Sequence, residues 1–109
     1  MKYLYGSIPD SQVKEIQKSI RGSIFFLLLC VDPKTADSYP DVDVNKIFEN
    51  LLDKLDGSNT LLLYPLAIAD TMSLLQAAQN LYNSPMFKYW KYRKLILDAG
   101  MAILKIEEV

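Results

Sequence analysis

Residues 87–94 form the segment with the clearest chemical character, because basic residues alternate there with large aromatic ones. The basic residues are Lys88, Lys91, Arg93 and Lys94. Aromatic rings can stack on nucleic-acid bases while basic groups contact phosphates. Trp, Met and Arg are also the residue types enriched in protein interfaces. The segment therefore predicts binding to a macromolecule, either a nucleic acid or another protein.

Helical spacing divides the last helix, which carries this segment, into two apolar faces at about 100° per residue. The face expected to meet the core consists of Tyr89, Tyr92, Leu95, Ile96, Ala99, Ile103 and Ile106. A second, nearly opposite face, called the second stripe below, consists of Met86, Trp90, Leu97, Met101 and Leu104. Lys91, Lys94 and Lys105 lie on the flank between the faces, and Arg93 borders the second stripe.

A surface helix needs only one apolar face, so the second stripe has to be covered by something else. In one interpretation the helix is central, its aromatic residues complete the core, and lysine stems cover the apolar edges. In the other, Trp90 anchors a partner protein, and a basic rim formed by Lys91, Arg93 and Lys94 selects an acidic surface. The predicted partner-binding residues are Met86, Trp90, Lys91, Arg93, Lys94, Leu97, Met101 and Leu104.

Catalytic residue types are scarce in this chain. There is no histidine and only one cysteine, Cys30, which removes Ser-His and Cys-His pairs and His-ligated zinc. Pairs of Lys18 with Ser19 or Ser23 lack any surrounding motif, and the one acid embedded in a strongly apolar helix is Asp70. We predict that the chain is not an enzyme and takes no cofactor.

The pattern Asp41-Val-Asp43-Val-Asn45 looks like the start of a calcium-binding loop. The rest of that motif fails, because Lys46 stands at its glycine position and Leu52 at its bidentate acid position. Helix capping by an aspartate is the favoured interpretation. We therefore predict no metal site.

Composition predicts one globular domain over residues 1–109, with 50% apolar and 23% charged residues. The net charge of −1 argues against a nucleic-acid coat or a membrane-surface protein. The longest apolar run, residues 24–31, is shorter than the roughly 20 residues that cross a bilayer. No apolar signal core follows Met1-Lys2, and a lone cysteine suits a reducing compartment, so we expect a cytoplasmic protein.

The first predicted helix is capped by Ser7, has Pro9 in its first turn, and carries apolar residues at helical steps up to Val31. Asp32-Pro33 ends it, and residues 32–42 form the one long loop. Asp41 or Asp43 then caps a second helix that ends at Gly57. The apolar stripe of that second helix is Val44, Ile47, Phe48, Leu51, Leu52 and Leu55.

A third helix follows Pro65, and residues 60–65 are either its first turns or a short strand before it. A fourth helix begins with Ser84 as cap and Pro85 as its first residue. The pattern of the fourth helix continues across Gly100. The predicted fold is thus all-α, a compact bundle of four or five helices. Periodicity alone also permits an α/β domain, broken at Gly22 and Gly100, with strands near 1–5, 24–31, 60–64 and 102–108.

The function expected from these observations is that of a small, non-enzymatic protein-binding module that acts through its last helix. It would modulate a larger protein as an inhibitor, immunity factor or adaptor, a class that includes phage-encoded and mobile-element proteins, or associate with itself as a homodimer. The alternative is a nucleic-acid-binding protein that uses residues 87–94.

Overall fold

A computed structural model describes residues 1–106. Its four helices are α1 (Asp10–Leu29), α2 (Val44–Leu61), α3 (Leu66–Tyr82) and α4 (Tyr89–Ala102). A small antiparallel hairpin pairs β1 (Lys2–Tyr3) with β2 (Gly6–Ser7), and short 3-10 helices cover Ala36–Ser38 and Ile103–Lys105. Each helix packs against the next one along the chain, and α4 also packs against α1, so the helices close into a bundle. The all-α prediction is confirmed.

Helix α1 includes the apolar run that could have been a strand. Residues 24–29 continue the helix without a break at Gly22, because Ile20, Ile24 and Leu27 all face the core and are fully buried. The α/β alternative is wrong for this run and for residues 60–64, which complete α2 and the turn after it. Of the strand expected near 1–5, only Lys2–Tyr3 forms.

The start of α1 differs from the prediction that Ser7 caps it. Ser7 lies in β2, and the N-cap position is Pro9, without a side-chain hydrogen bond. The hairpin extends through Ile8, whose backbone N–H donates to the Met1 carbonyl at 2.7 Å. Ser7 is therefore held in extended pairing and cannot reach the first amides of the helix.

Helix α2 begins as predicted, since Asp43 accepts a hydrogen bond from the Lys46 backbone N–H at 3.2 Å. Its predicted stripe is confirmed, with Phe48 and Leu55 fully buried. The predicted end at Gly57 is wrong, because the helix runs on to Leu61. Continuing the helix places Leu62 seven residues after Leu55, where it is buried on the same face.

Helix α4 begins at Tyr89, four residues later than the predicted start at Pro85. Ser84 caps a turn instead of a helix: its hydroxyl accepts from the Met86 backbone N–H at 3.0 Å. This turn directs Phe87 inward, with its ring centroid 6.2 Å from that of Tyr82. At the other end, Ile103–Lys105 is a 3-10 helix where the alternative placed a strand near 102–108. Residues 107 and 108 lie outside the described part.

Tyr92 is fully buried and connects parts of all four helices. Its hydroxyl donates to the Leu27 carbonyl of α1 at 2.8 Å. Its ring lies 6.3 Å from Phe48 of α2, 6.3 Å from Tyr82 of α3 and 5.8 Å from Phe87, measured between centroids. Carbonyls in the last turn of a helix lack helical donors, so the phenol satisfies an acceptor that is buried away from water. Burial raises the pKa of Tyr92 and keeps this donor protonated.

Replacing Tyr92 with Phe should lower the free energy of unfolding by about 1–3 kcal/mol, because the ring is kept but the Leu27 carbonyl loses its donor. Denaturant unfolding followed by circular dichroism measures this loss. Tyr5→Phe removes a hydroxyl from a side chain that is 78% exposed and should have no effect. Equal stability of the two variants would contradict the assigned hydrogen bond.

Gly100 permits the close approach of α1 and α4. A Cβ at this position would lie 2.9 Å from Cε1 of Phe25 on α1, which is closer than ordinary van der Waals contact. At Gly57 on α2 a Cβ would meet nothing within 4 Å. The two glycines occupy helix interiors, but only Gly100 has a packing reason to lack a side chain.

Gly57→Ala should raise the free energy of unfolding by about 0.5–1 kcal/mol, because alanine loses less backbone entropy in a helix. Gly100→Ala should not give this gain, since the Phe25 ring has to shift to admit the methyl group. Thermal unfolding of both variants tests the difference. An equal gain at Gly100 would show that Phe25 does not pack there.

Candidate functional site

Most of the second stripe is exposed. The exposed fractions are 74% for Met86, 63% for Trp90, 55% for Met101 and 44% for Leu104, while Leu97 is half-buried. The predicted core face is the one that packs inside, with Tyr92, Ile96, Ala99 and Ile103 fully buried. Helix α4 is thus a surface helix that covers one apolar face and presents the other to solvent.

The stripe begins beside α1 and extends outward. Gly100 faces Phe25 of α1, and at about 100° per residue Arg93, Leu97, Trp90 and Met101 follow it in turn around α4. On the α1 side, Leu29 lies one turn beyond Phe25 and is 40% exposed. The apolar surface therefore spans two helices.

Met86 is the one member of the second stripe that does not lie on the described helices. It belongs to the turn between α3 and α4, because the helix starts later than the sequence pattern indicates. Its side chain is nevertheless exposed, three residues before the start of α4. Met86 therefore lies before the first residue of α4 and does not continue the row of Trp90, Leu97 and Met101 on the helix.

The three predicted rim cations are all exposed, and each has a different neighbour. The Lys91 ammonium lies 5.6 Å from the centroid of the Trp90 ring, a cation–π contact. The Lys94 ammonium pairs with the Asp98 carboxylate at 2.8 Å, one helical turn away. Arg93 acts electrostatically on Asp32 in the loop after α1. The rim is positive, with one of its cations paired along the helix.

Asp32, in the loop after α1, lies near Tyr89 in the first turn of α4. A hydrogen bond from the Lys34 backbone N–H, 2.9 Å long, is the main cause that lowers the pKa of Asp32, and the Tyr89 hydroxyl and the Arg93 charge add to it. Burial and the Asp32 carboxylate raise the pKa of Tyr89. The Tyr89 hydroxyl is buried and has no hydrogen-bond partner among residues 1–106, so the two groups influence each other electrostatically.

Helix α1 contributes basic residues to the same side of the bundle, and the sequence-based prediction omits them. Lys14, Lys18 and Arg21 are spaced by four and three residues, so they lie on one edge of α1. They border a groove with Phe25 and Leu104. The spacing of four and three residues is visible in the sequence, but only the packing of α1 against α4 brings these basic residues beside Leu104, at the end of the second stripe.

The residues considered for catalysis and for metal binding do not come together in one site. Ser19 accepts a hydrogen bond from the Lys54 ammonium at 3.0 Å, and not from Lys18. An ammonium that donates to a hydroxyl cannot also take its proton, so this contact does not activate Ser19 as a nucleophile. Asp70 is exposed, so it lacks the apolar pocket that a general acid needs. Among residues 1–106, no cluster of three or more Cys, Asp or Glu side chains is placed to hold a metal ion.

Comparison with protein-family models, curated proteins and solved structures finds no match for this chain. None of the helices in residues 1–106 combines the length and the apolar character needed to cross a bilayer. The function proposed below rests on the geometry and chemistry of the described residues.

A second exposed apolar patch lies at the end of the bundle where α1 begins. Its large apolar residues are Leu4, Tyr5, Leu63, Tyr64 and Leu66. The Leu4 backbone N–H donates to the Leu61 carbonyl at 2.8 Å, which joins the hairpin to the turn between α2 and α3. In the sequence the run 60–64 is typical of a buried element, so it gives no sign of this exposure.

The turn after α2 is a Schellman motif in which a leucine takes the usual place of glycine. The Tyr64 backbone N–H donates to the Asn59 carbonyl at 2.7 Å, and that of Leu63 to Thr60 at 3.2 Å. Leu63 and Tyr64 have φ angles of 64° and 62°, in the left-handed region that disfavours residues with a Cβ. The turn stores backbone strain while it exposes apolar side chains.

Tyr64→Gly should be more stable than Tyr64→Ala by about 1 kcal/mol, because both remove the ring but only alanine keeps the left-handed penalty. Thermal unfolding of the matched pair measures the strain directly. At an ordinary surface position, alanine would be equal to or more stable than glycine. A Tyr64→Ala variant as stable as Tyr64→Gly, or more stable, would show that the strain is absent.

Proposed function

We propose that this chain is a non-enzymatic module that binds an acidic surface of another protein through the exposed part of α4. The observation that carries the proposal is the row formed by exposed Trp90, half-buried Leu97 and exposed Met101 along a helix whose other face packs in the core. Exposed Trp and Met side chains next to basic residues resemble the central anchors of protein interfaces. Trp90 is the proposed anchor.

The basic rim favours an acidic partner over a second copy of the chain. A symmetric dimer through this face would place two copies of the basic rim, Lys91, Arg93 and Lys94, in one interface. Like charges facing each other oppose association, whereas an acidic surface would be attracted and oriented. We therefore propose that the partner is a different protein and not a second copy of this chain.

The aromatic residues of segment 87–94 favour a protein partner over a nucleic acid. Tyr92 is fully buried, and Tyr89 and Phe87 are half-buried, so their rings are not free to stack on bases. Trp90 is the exposed ring of the segment, and Lys91 lies against it. A binding site for single strands normally offers several ring faces along the strand.

A role as inhibitor, immunity factor or adaptor suits a small domain that acts by covering a surface. The lone Cys30, buried and with a raised pKa caused by burial, is compatible with the cytoplasmic location expected from the sequence. The mechanism we propose has two parts. The basic rim guides the approach, and burial of Trp90 and Met101 supplies the affinity.

Site-specific crosslinking in extracts of the native host tests the proposal. A photoreactive phenylalanine at Met101 should crosslink one protein, whereas the same group at Leu66, which is more exposed and lies in the other apolar patch, should not. Trp90→Ala should weaken capture of that protein about 30-fold, the equivalent of roughly 2 kcal/mol. Circular dichroism of the variant verifies that the fold is intact.

Capture that is unchanged in Trp90→Ala would refute the assignment of this face. A dimer mass in light scattering that Trp90→Ala reduces to the monomer would instead support self-association. Retardation of a labelled RNA that disappears when Lys91, Arg93 and Lys94 are neutralised would support the nucleic-acid alternative.

A further inference from the structure

A groove lies between α1 and the 3-10 helix that follows α4. It encloses about 380 Å³, with Phe25 and Leu104 as apolar surfaces and Lys14, Lys18 and Arg21 along one edge. Gly22 leaves the groove open, because a Cβ there would meet nothing within 4 Å. Gln17 borders the groove and donates to the Ile103 carbonyl at 3.0 Å, which fixes the 3-10 helix against α1.

Arg21 has an unused donor at this groove. Its guanidinium carbon lies 4.9 Å from the centroid of the Phe25 ring, so the group is stacked on an apolar surface. Its Nε atom is buried and has no hydrogen-bond partner among residues 1–106. Because Nε is covered, an incoming acceptor would meet the outer N–H groups of the guanidinium, and the acceptors that match a guanidinium best are a carboxylate and a phosphate.

The charge distribution favours a carboxylate partner. Helices α1 and α4 together carry six basic and three acidic residues, whereas residues 31–82 carry three basic and eight acidic ones. The basic side attracts a compact acidic segment, while the acidic remainder would repel a long polyanion such as RNA. The apolar surfaces of Phe25 and Leu104 also suit a peptide better than a phosphate backbone.

We propose that this groove binds an acidic amphipathic helix of the partner protein, with a carboxylate on Arg21 and an apolar side chain between Phe25 and Leu104. This inference rests on the proposed function, because Leu104 belongs to both the groove and the second stripe and makes them one surface. Lys14 and Lys18 take further carboxylates at helical spacing. The partner helix lies across α1 and the end of α4.

A designed peptide tests the groove without the native partner. The probe is a fluorescein-labelled helix of about 21 residues, with leucine at heptad positions a and d, glutamate at e and g, and alanine elsewhere. Fluorescence anisotropy should give a Kd on the order of 10 μM at low salt, weakening as salt is raised. The same peptide with lysine at e and g should not bind.

Two variants of the full chain locate the binding. Arg21→Gln should weaken the acidic peptide about tenfold, because the charged hydrogen bond is lost. Lys46→Gln, an equal charge change on α2, should have no effect. Gly22→Leu fills the groove without removing charge and should also weaken binding about tenfold, with circular dichroism as the control for folding.

Failure of the acidic peptide to bind, or equal binding of the lysine peptide, overturns the inference. So does an affinity that neither Arg21→Gln nor Gly22→Leu reduces, or a labelled single-stranded RNA that binds more tightly and is blocked by Gly22→Leu. If both groove variants lower peptide binding but the crosslink at Met101 is absent, the groove stands and the proposed function fails. If Trp90→Ala abolishes partner capture while the groove variants leave it unchanged, the proposed function stands and the groove assignment fails.

Discussion

The phenol of Tyr92 holds this fold together in a way that aliphatic packing alone would not. It is the largest fully buried side chain, and its hydroxyl reaches the last turn of α1, where a carbonyl needs a donor. The same ring contacts aromatic side chains from α2, α3 and the turn before α4. Because a hydrogen bond is directional, it fixes the rotation of α4 about its own axis as well as its position.

The exposed surface follows from that fixed rotation. With Tyr92, Ile96 and Ile103 turned inward, Trp90 and Met101 have to face outward, since they lie on another side of the same helix. Gly100 then lets α1 approach closely enough for Phe25 to adjoin this surface. The proposed interface is thus determined by the packing of the core, and the basic residues of α1 are part of it for the same reason.

Local patterns were sufficient for most of the helical fold. The stripe of α2 and the cap at Asp43 involve residues close in sequence, so spacing predicts them well. The ends of the helices were less predictable: Gly57 has the residue type of a helix end, but the burial of Leu62 favours continuing the helix. Ser84 and Pro85 have the residue types of a helix start, yet they form a turn that packs Phe87 inward.

The candidate site was predictable to the extent that it lies on one helix. The two apolar faces of α4, and the one that meets the core, are visible in the sequence, but whether the second stripe is covered depends on its neighbours. The contribution of Lys14, Lys18 and Arg21 depends on contacts such as that of Gln17 with Ile103, whose partners are 86 residues apart. Pairings over such distances are set by the tertiary fold, and no short pattern encodes them.

The separation of charge between the helices gives the molecule a dipole that its net charge of −1 conceals. A nearly neutral protein with such a dipole is only weakly attracted to a charged surface at long range, but near that surface it experiences a strong electrostatic torque. Within a Debye length of about 8 Å, the basic side would rotate toward an acidic surface before any apolar contact forms. Orientation would thus precede docking, and ions in solution would weaken the torque more than they weaken the final apolar contact.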